Sequence, residues 1–227
     1  MTEAEWLKCT DPKPMLEFLG ERASQRKLRL FAVVCCRRLW NLLSDKYSRK
    51  ALTIAERYAD GDVSQKKLGF ARGDARRAAE FAHREERPRA DASAMWAVSL
   101  VCEAFIGSAL VAVGLAARCE AYPGYPSRLA DAQKEQSSLL RDMFGSPFRV
   151  VTNDPNWLTA TVTKLAQAAY DNRILPAGTL EPDRLAILAD ALEEAGCTDE
   201  QVLTHLRGPS GPHVRGCFVL DLLLDKK

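Results

Sequence analysis

Residues 95–117 read MWAVSLVCEAFIGSALVAVGLAA, and the fold turns on how this stretch is satisfied. A helix of that length rises about 1.5 Å per residue and reaches far enough to span a bilayer. Its single charge, Glu103, falls near the middle, where a carboxylate costs about 3 kcal/mol on insertion scales. Ala, Gly and Ser dominate it rather than Leu and Ile. The stretch therefore reads as the central helix of a soluble bundle, apolar nearly all round, from about Asp91 to Glu120. No membrane is expected.

Upstream of it the pattern stays helical. Thr2-Glu3-Ala4-Glu5 is a capping box that opens a short helix ending near Cys9. Asp11-Pro12 opens the next, which carries Met15, Leu16, Phe18 and Leu19 to Gly20. Ser24 caps a strong helix with Leu28, Phe31, Ala32, Cys35, Leu39 and Leu42 at helical spacing and arginines on its other face. Ser44 or Asp45 starts another through Ala51, Leu52, Ile54, Ala55 and Tyr58, stopped at Asp60-Gly61. A charged helix runs from Ser64 to about Arg87, where Pro88 interrupts.

Downstream, Tyr122-Pro123-Gly124-Tyr125-Pro126 is the clearest break in the chain. Ser127 caps a helix to Phe144, and Gly145-Ser146-Pro147 ends it. Phe148 to Thr152 reads as extended, Asp154-Pro155 as the start of a helix carrying Trp157, Leu158, Val162, Leu165, Ala169 and Tyr170, and Leu175 to Thr179 as a loop. A helix from Pro182 stops at Gly196, Thr198-Asp199-Glu200 opens another to Arg207, and His213 to Leu224 closes the chain after the break at 208–212. Alternating strand patterns are absent. The expectation is an all-α, bundle-like single domain of roughly eight to ten helices, with lobes 1–121 and 126–227 if the break at Tyr122–Pro126 divides it.

The composition agrees. Of 227 residues, 47% are hydrophobic and 27% charged, with 13 glycines and 11 prolines. These values exclude a disordered, collagenous or disulfide-miniprotein chain, and the length suffices for a sizeable core. Net charge is +2, but its distribution is uneven. Residues 1–90 hold 20 Lys and Arg against 13 acids, and residues 91–227 hold 12 against 17. Such asymmetry marks either a face for an acidic partner or nucleic acid, or two attracting helical layers. The seven cysteines are odd in number, several lie in apolar helical patterns, and the opening Met-Thr-Glu-Ala-Glu-Trp is unlike a secretory signal. A reducing cytoplasm with mostly buried thiols is the expected setting.

Three blocks near the start, TEAEWLKCTDPKPMLEFL, RKLRLFAVVCCRRLWNLL and SRKALTIAERYADG, resemble an uncharacterised bacterial family with many paralogues per genome. The segments LLRDMFGSPFRVV, LAILADALEEAGC and GPHVRGCFVLDLLL resemble its C-terminal half. The resemblance implies an all-helical protein and one evolutionary unit, and it carries no activity or catalytic residue.

For chemistry, the suggestive cluster is Cys197, His205, His213 and Cys217, spaced C-x7-H-x7-H-x3-C. Zinc takes four N and S ligands in a tetrahedron, so the set is chemically complete. His213 and Cys217 share a face if a helix starts at His213. Against zinc stands the lack of a C-x2-C knuckle, and two buried thiols with two hydrogen-bonded histidines are the plainer alternative. Arg37 and Arg38 beside Cys35-Cys36 would lower a thiol pKa, yet neighbouring helical residues point about 100° apart. The basic run from Arg26 to Lys50 carries eight Lys and Arg against Asp45 alone, and Arg26, Arg29, Arg37 and Arg38 are its candidate contacts for nucleic acid or an acidic partner. No helix-turn-helix, RNP or zinc-finger signature accompanies them. Motifs for hydrolases, nucleotide-binding loops, zinc proteases and dinucleotide sites are absent. Glu103 and Asp221, acids in apolar helices, call for buried partners, and an arginine of the basic half is the expected partner of Glu103. The sequence thus points to a non-enzymatic helical interaction or scaffold module with a protein partner. Nucleic-acid binding through residues 24–50 and a small zinc-stabilised C-terminal module are the alternatives.

Overall fold

The computed structural model describes residues 1–85, 89–103, 106–121, 127–149, 151–152, 154–208 and 211–226. Its architecture is all-α, with twelve α-helices and one two-stranded ribbon among these residues. The capping residues read from the sequence start the first five helices. Thr2 and Glu5 form the capping box of α1 (Glu3–Lys8), with Thr2 N–H donating to Glu5 Oε2 at 2.7 Å and Glu5 N–H to Thr2 Oγ1 at 3.3 Å. Asp11, Ser24, Asp45 and Ser64 each accept from a first-turn N–H of α2 (Pro12–Leu19), α3 (Gln25–Arg37), α4 (Lys46–Ala59) and α5 (Gln65–Arg84). These bonds satisfy donors that a helix N-terminus otherwise leaves orphaned.

The decisive apolar stretch folds differently from its expected single helix. α6 (Arg89–Val101) and α7 (Ile106–Ala121) replace it, and the chain turns at Cys102 and Glu103 so that the two halves pack on each other. Each half covers the other's apolar surface, which one long helix would leave to neighbours alone. Among the described residues no helix is long and apolar enough to cross a membrane. Glu103 sits at the turn, half-buried, and Arg29 meets its backbone: Nη1 donates to the carbonyls of Val101 at 3.1 Å and Glu103 at 3.0 Å. The break at 122–126 lies outside the described residues.

By its contacts the chain forms two compact units, Thr10–Gln136 and Met1–Cys9 with Ser137–Lys227. The boundary falls inside α8 (Ser127–Phe144). In the Thr10–Gln136 unit α3 packs on α4, α6 and α7, and α5 lays Leu68, Ala71, Ala75, Ala79 and Ala82 against its neighbours α4 and α6. A cavity of about 380 Å³ in this unit is walled by Leu16, Val113, Ala117 and Leu129, with Lys13 and Arg118; Glu103 is not in its lining.

The four arginines offered for nucleic acid are internal ties. Arg26 pairs with Asp60 at 3.1 Å, Arg37 with Glu56 at 2.8 Å and Arg38 with Glu135 at 3.0 Å, while Arg29 caps the turn after α6. Arg29 and Arg37 are buried. A guanidinium committed to a buried internal acceptor cannot also bond a phosphate without giving up that partner, so Arg29 and Arg37 are poorly placed as such contacts. Of the eight cations between residues 26 and 50, Arg26, Arg37 and Arg38 pair with acids 19 to 97 residues away, while Lys46 and Lys50 are exposed.

The other unit holds α1, the end of α8, a 3-10 turn at Pro155–Trp157, α9 (Ala160–Asp171), β1 (Arg173–Ile174), β2 (Thr179–Leu180), α10 (Pro182–Glu194), α11 (Glu200–Arg207) and α12 (Phe218–Leu223). Three expectations are corrected here. Asp154-Pro155 starts only the 3-10 turn, and Thr159 caps α9 by accepting from Val162 N–H. Residues 175–178 form the expected loop, but Thr179 belongs to a ribbon that the sequence did not announce: Arg173–Ile174 pairs antiparallel with Thr179–Leu180. The last helix starts at Phe218, because residues before it are held extended: Leu180 N–H donates to His213 O at 2.8 Å, and Thr179 bridges Val214. The core of this unit gathers Trp157, Tyr170, Leu188, Leu192 and Leu220 among others. Trp6, fully buried, anchors α1 to it through Nε1–H to the Gly145 carbonyl at 3.0 Å, and Arg141 Nη1 donates to the carbonyls of Trp6 and Cys9.

No disulfide joins the seven cysteines, and six of them are buried. Burial pushes the Cys102 thiol up to about 12, against the opposing charge of Arg29, while its Sγ lies 3.7 Å from the Ala51 carbonyl. A buried thiol that cannot ionise is inert. Titration of the native protein with a thiol reagent is expected to show one fast thiol, removed in Cys9→Ser, and seven after denaturation. Two or more fast thiols would contradict this burial.

Candidate metal centre

Three of the four residues singled out in the C-terminal sequence come together. His205 stands in the last turn of α11, His213 in the extended segment after it, and Cys217 at the N-cap of α12. The fourth group is Asp142, in the last turn of α8. One ligand atom from each of Asp142, His205, His213 and Cys217 lies within 4.8 Å of the others. Cys197 is not in this group; it is buried in the core, its N–H donating to the Leu192 carbonyl. His213 and Cys217 meet through a tight turn, not along a helix face. Cys217 N–H closes that turn on Val214 O at 3.0 Å, and Gly216 supplies its positive φ of 91°.

Asp142 is the hub. Its Oδ1 meets His213 Nδ1 at 2.6 Å and His205 Nε2 at 3.1 Å, and its Oδ2 accepts from Val214 N–H at 3.0 Å. His205 Nε2 also lies 3.2 Å from Cys217 Sγ. The two imidazoles meet edge to face at 4.7 Å, and the Phe218 ring closes on His205 at 4.5 Å. Gly145 permits that packing: with φ +61, it leaves free a place where a Cβ would stand 3.2 Å from the Phe218 ring. Burial, the largest influence on Asp142, would raise its pKa. The hydrogen bonds and charges of His205 and His213 together outweigh it and hold the carboxyl at about 2. Burial and the neighbouring Asp142 drive the Cys217 thiol well above its ordinary range.

This is not the geometry of a nucleophilic triad. There the base uses one ring nitrogen for the nucleophile and the other for the acid. Here Asp142 and Cys217 both meet Nε2 of His205, and the thiol is buried and protonated. A cation suits the arrangement better. Zinc takes Cys S, His N and Asp O at about 2.0–2.3 Å, which puts tetrahedral ligand atoms about 3.3–3.7 Å apart. The shortest contacts present need to open, and the widest to close, by about 1 Å to meet that spacing. His213 is also buried, and its Nε2 has no hydrogen-bond partner among the described residues; an ion on that nitrogen would leave the Nδ1 contact at 2.6 Å as a hydrogen bond to Asp142 rather than a ligand spacing. A buried orphan nitrogen calls for an explanation such as an unseen ligand.

Sequence reading missed Asp142 because it lies 63 positions before His205, but its signal was there. Leu139, Leu140 and Met143 form the buried face of α8, and Asp142 falls on the same side, three residues after Leu139. No family model matches this chain, and no curated protein or solved structure matches it either.

Proposed function

We propose that the chain is a non-enzymatic helical interaction module stabilised by a structural zinc ion on Asp142, His205, His213 and Cys217. The observation that carries this reading is the convergence of four borderline-soft and hard donors, from three separate segments, within 4.8 Å in a place closed to solvent. Structural zinc sites are filled by four protein ligands, whereas catalytic ones keep a position open. Three of these groups are buried and the His205 side chain is 12% exposed, which favours the structural kind. An ion there would tie the end of α8 to α11 and α12. That fixes how the C-terminal helices present their outer surfaces.

Elemental mass spectrometry of the untagged protein, with melting curves before and after chelation, tests the reading. About one zinc per chain is expected. An ion at a thousand times its Kd adds about 4 kcal/mol, which for a chain of this size is about 8–16 °C in Tm. Cys217→Ser is expected to lose the ion, and Cys197→Ser to keep it. Metal-free protein whose Tm ignores both added zinc and chelator would overturn the proposal.

A further inference from the structure

Two helices present outward faces of opposite character. On α5, Phe70 and Phe81 are 65% and 53% exposed, the opposite of what their size favours. Eleven residues apart, they stand on one side of the helix, about 16 Å from each other. Arg77 lies between them, and Lys66 and Arg84 flank them one turn beyond at either end. The helix carries six Lys and Arg against two acids, and those acids are already matched: Asp74 by Arg77 at 2.6 Å and Glu80 by Arg76 at 2.9 Å.

On α10, Asp183, Ile187, Asp190 and Glu194 recur at spacings of four, three and four and are all exposed. Ile187 is 54% exposed at the centre of this face. The helix carries four acids against one arginine, and Arg184 is matched by Glu181. Arg207 takes Asp190 and Glu193, which leaves Asp183 and Glu194 at the two ends of the face.

We infer that α5 of one copy of this chain docks on α10 of a second copy. Asp183 and Glu194 are eleven residues apart, as Phe70 and Phe81 are, so the two faces match in length. Ile187 then packs between the two phenylalanines. Lys66 and Arg84 stand about 27 Å apart, wider than the end acids, and meet them by reaching inward along the helix: Lys66 Nζ already lies 5.9 Å from the Phe70 ring centroid, and Arg84 Nε donates back to the Glu80 carbonyl. Apolar anchors at the centre with opposite charges at the rim is the anatomy of a specific interface. Two helices touching over three turns cover less than the usual stable interface, so the association is weak and its charged rim makes it salt-sensitive.

Sedimentation velocity of the full chain tests this. At low salt the weight-average mass is expected to rise above 25.2 kDa with concentration, and to return to it at high salt. Phe81→Asp, which spoils α5, and Ile187→Arg, which spoils α10, are each expected to stay monomeric; both positions are exposed, and circular dichroism checks that helix content is unchanged. Mixed in equal amounts, these two variants retain one good α10 and one good α5, and they are expected to form a heterodimer of about twice the chain mass and nothing larger. Three results would each overturn the inference: wild-type protein monomeric at every concentration, single variants that still associate, or a mixture that does not restore the dimer. Association of wild type only with acidic polymers or vesicles would assign the α5 face to a different partner and likewise overturn it.

Discussion

Replacing Asp142 by alanine is expected to cost about 3–5 kcal/mol of stability even in metal-free protein, because it breaks a buried charge-assisted network by removing its acceptor. Val214 N–H, His213 Nδ1 and His205 Nε2 all lose the carboxylate they meet, and none gains a replacement in that buried space. Urea unfolding under excess chelator, followed by far-UV circular dichroism, measures this share. Repeating it with zinc measures the rest, since the wild type is expected to gain stability from the ion and Asp142→Ala to gain none. Asp142→Asn keeps the shape but loses the charge and brings an amide donor among donors, so it is expected to fall between the two. A wild-type midpoint and wild-type zinc content in Asp142→Ala would remove Asp142 from its central place.

Glu56→Leu is the second large effect. Arg37 on α3 and Glu56 on α4 meet at 2.8 Å with side chains 3% and 4% exposed. Breaking a buried pair by removing one partner costs about 3–5 kcal/mol. For a chain of this size that is about 6–20 °C in Tm. The double variant Arg37→Met with Glu56→Leu removes both charges at similar volume and is expected to recover at least half of the loss. A drop of under about 1 kcal/mol in the single variant would mean that water reaches the pair after all.

Local signals were legible in the sequence, and long-range ones were not. Thr2 and Ser24 could be read as caps, and the starts at Asp11, at Ser44 or Asp45, at Ser64 and within residues 198–200 could be placed to about a residue, because a cap is decided within four residues. The turn at Cys102–Glu103 could not, since neither glycine nor proline marks it and the flanking residues are as helical as any. What fixes it is tertiary: two apolar halves that can cover each other. Asp154-Pro155 carried a true start signal that yields only a 3-10 turn, and Thr159 next door begins the real helix. The arginines of residues 26–38 show the limit most clearly. Sequence shows their charge, but not that Asp60, Glu56 and Glu135 are folded onto it. Of the four groups that gather at the candidate metal centre, the three close together in sequence are legible there, whereas the distant one, Asp142, is not, and the nearby Cys197 stands in its place in the sequence reading.

The pairing of Met1–Cys9 with Ser137–Lys227 sets an order of events during synthesis. Residues 10–136 have all of their own unit's partners once Gln136 has emerged. Trp6 has by then been outside for most of the elongation, yet Gly145 and Arg141, which seat it, are still to be made. Asp142 follows soon after, but His205, His213 and Cys217 arrive about 60–75 residues later, which at about 5–20 residues per second is several seconds. Through that interval the nascent chain displays an unseated tryptophan helix at one end and an unpaired carboxylate near the other. Trp6 is therefore seated only once Gly145 has been made, and the carboxylate gains its last neighbour only with Cys217.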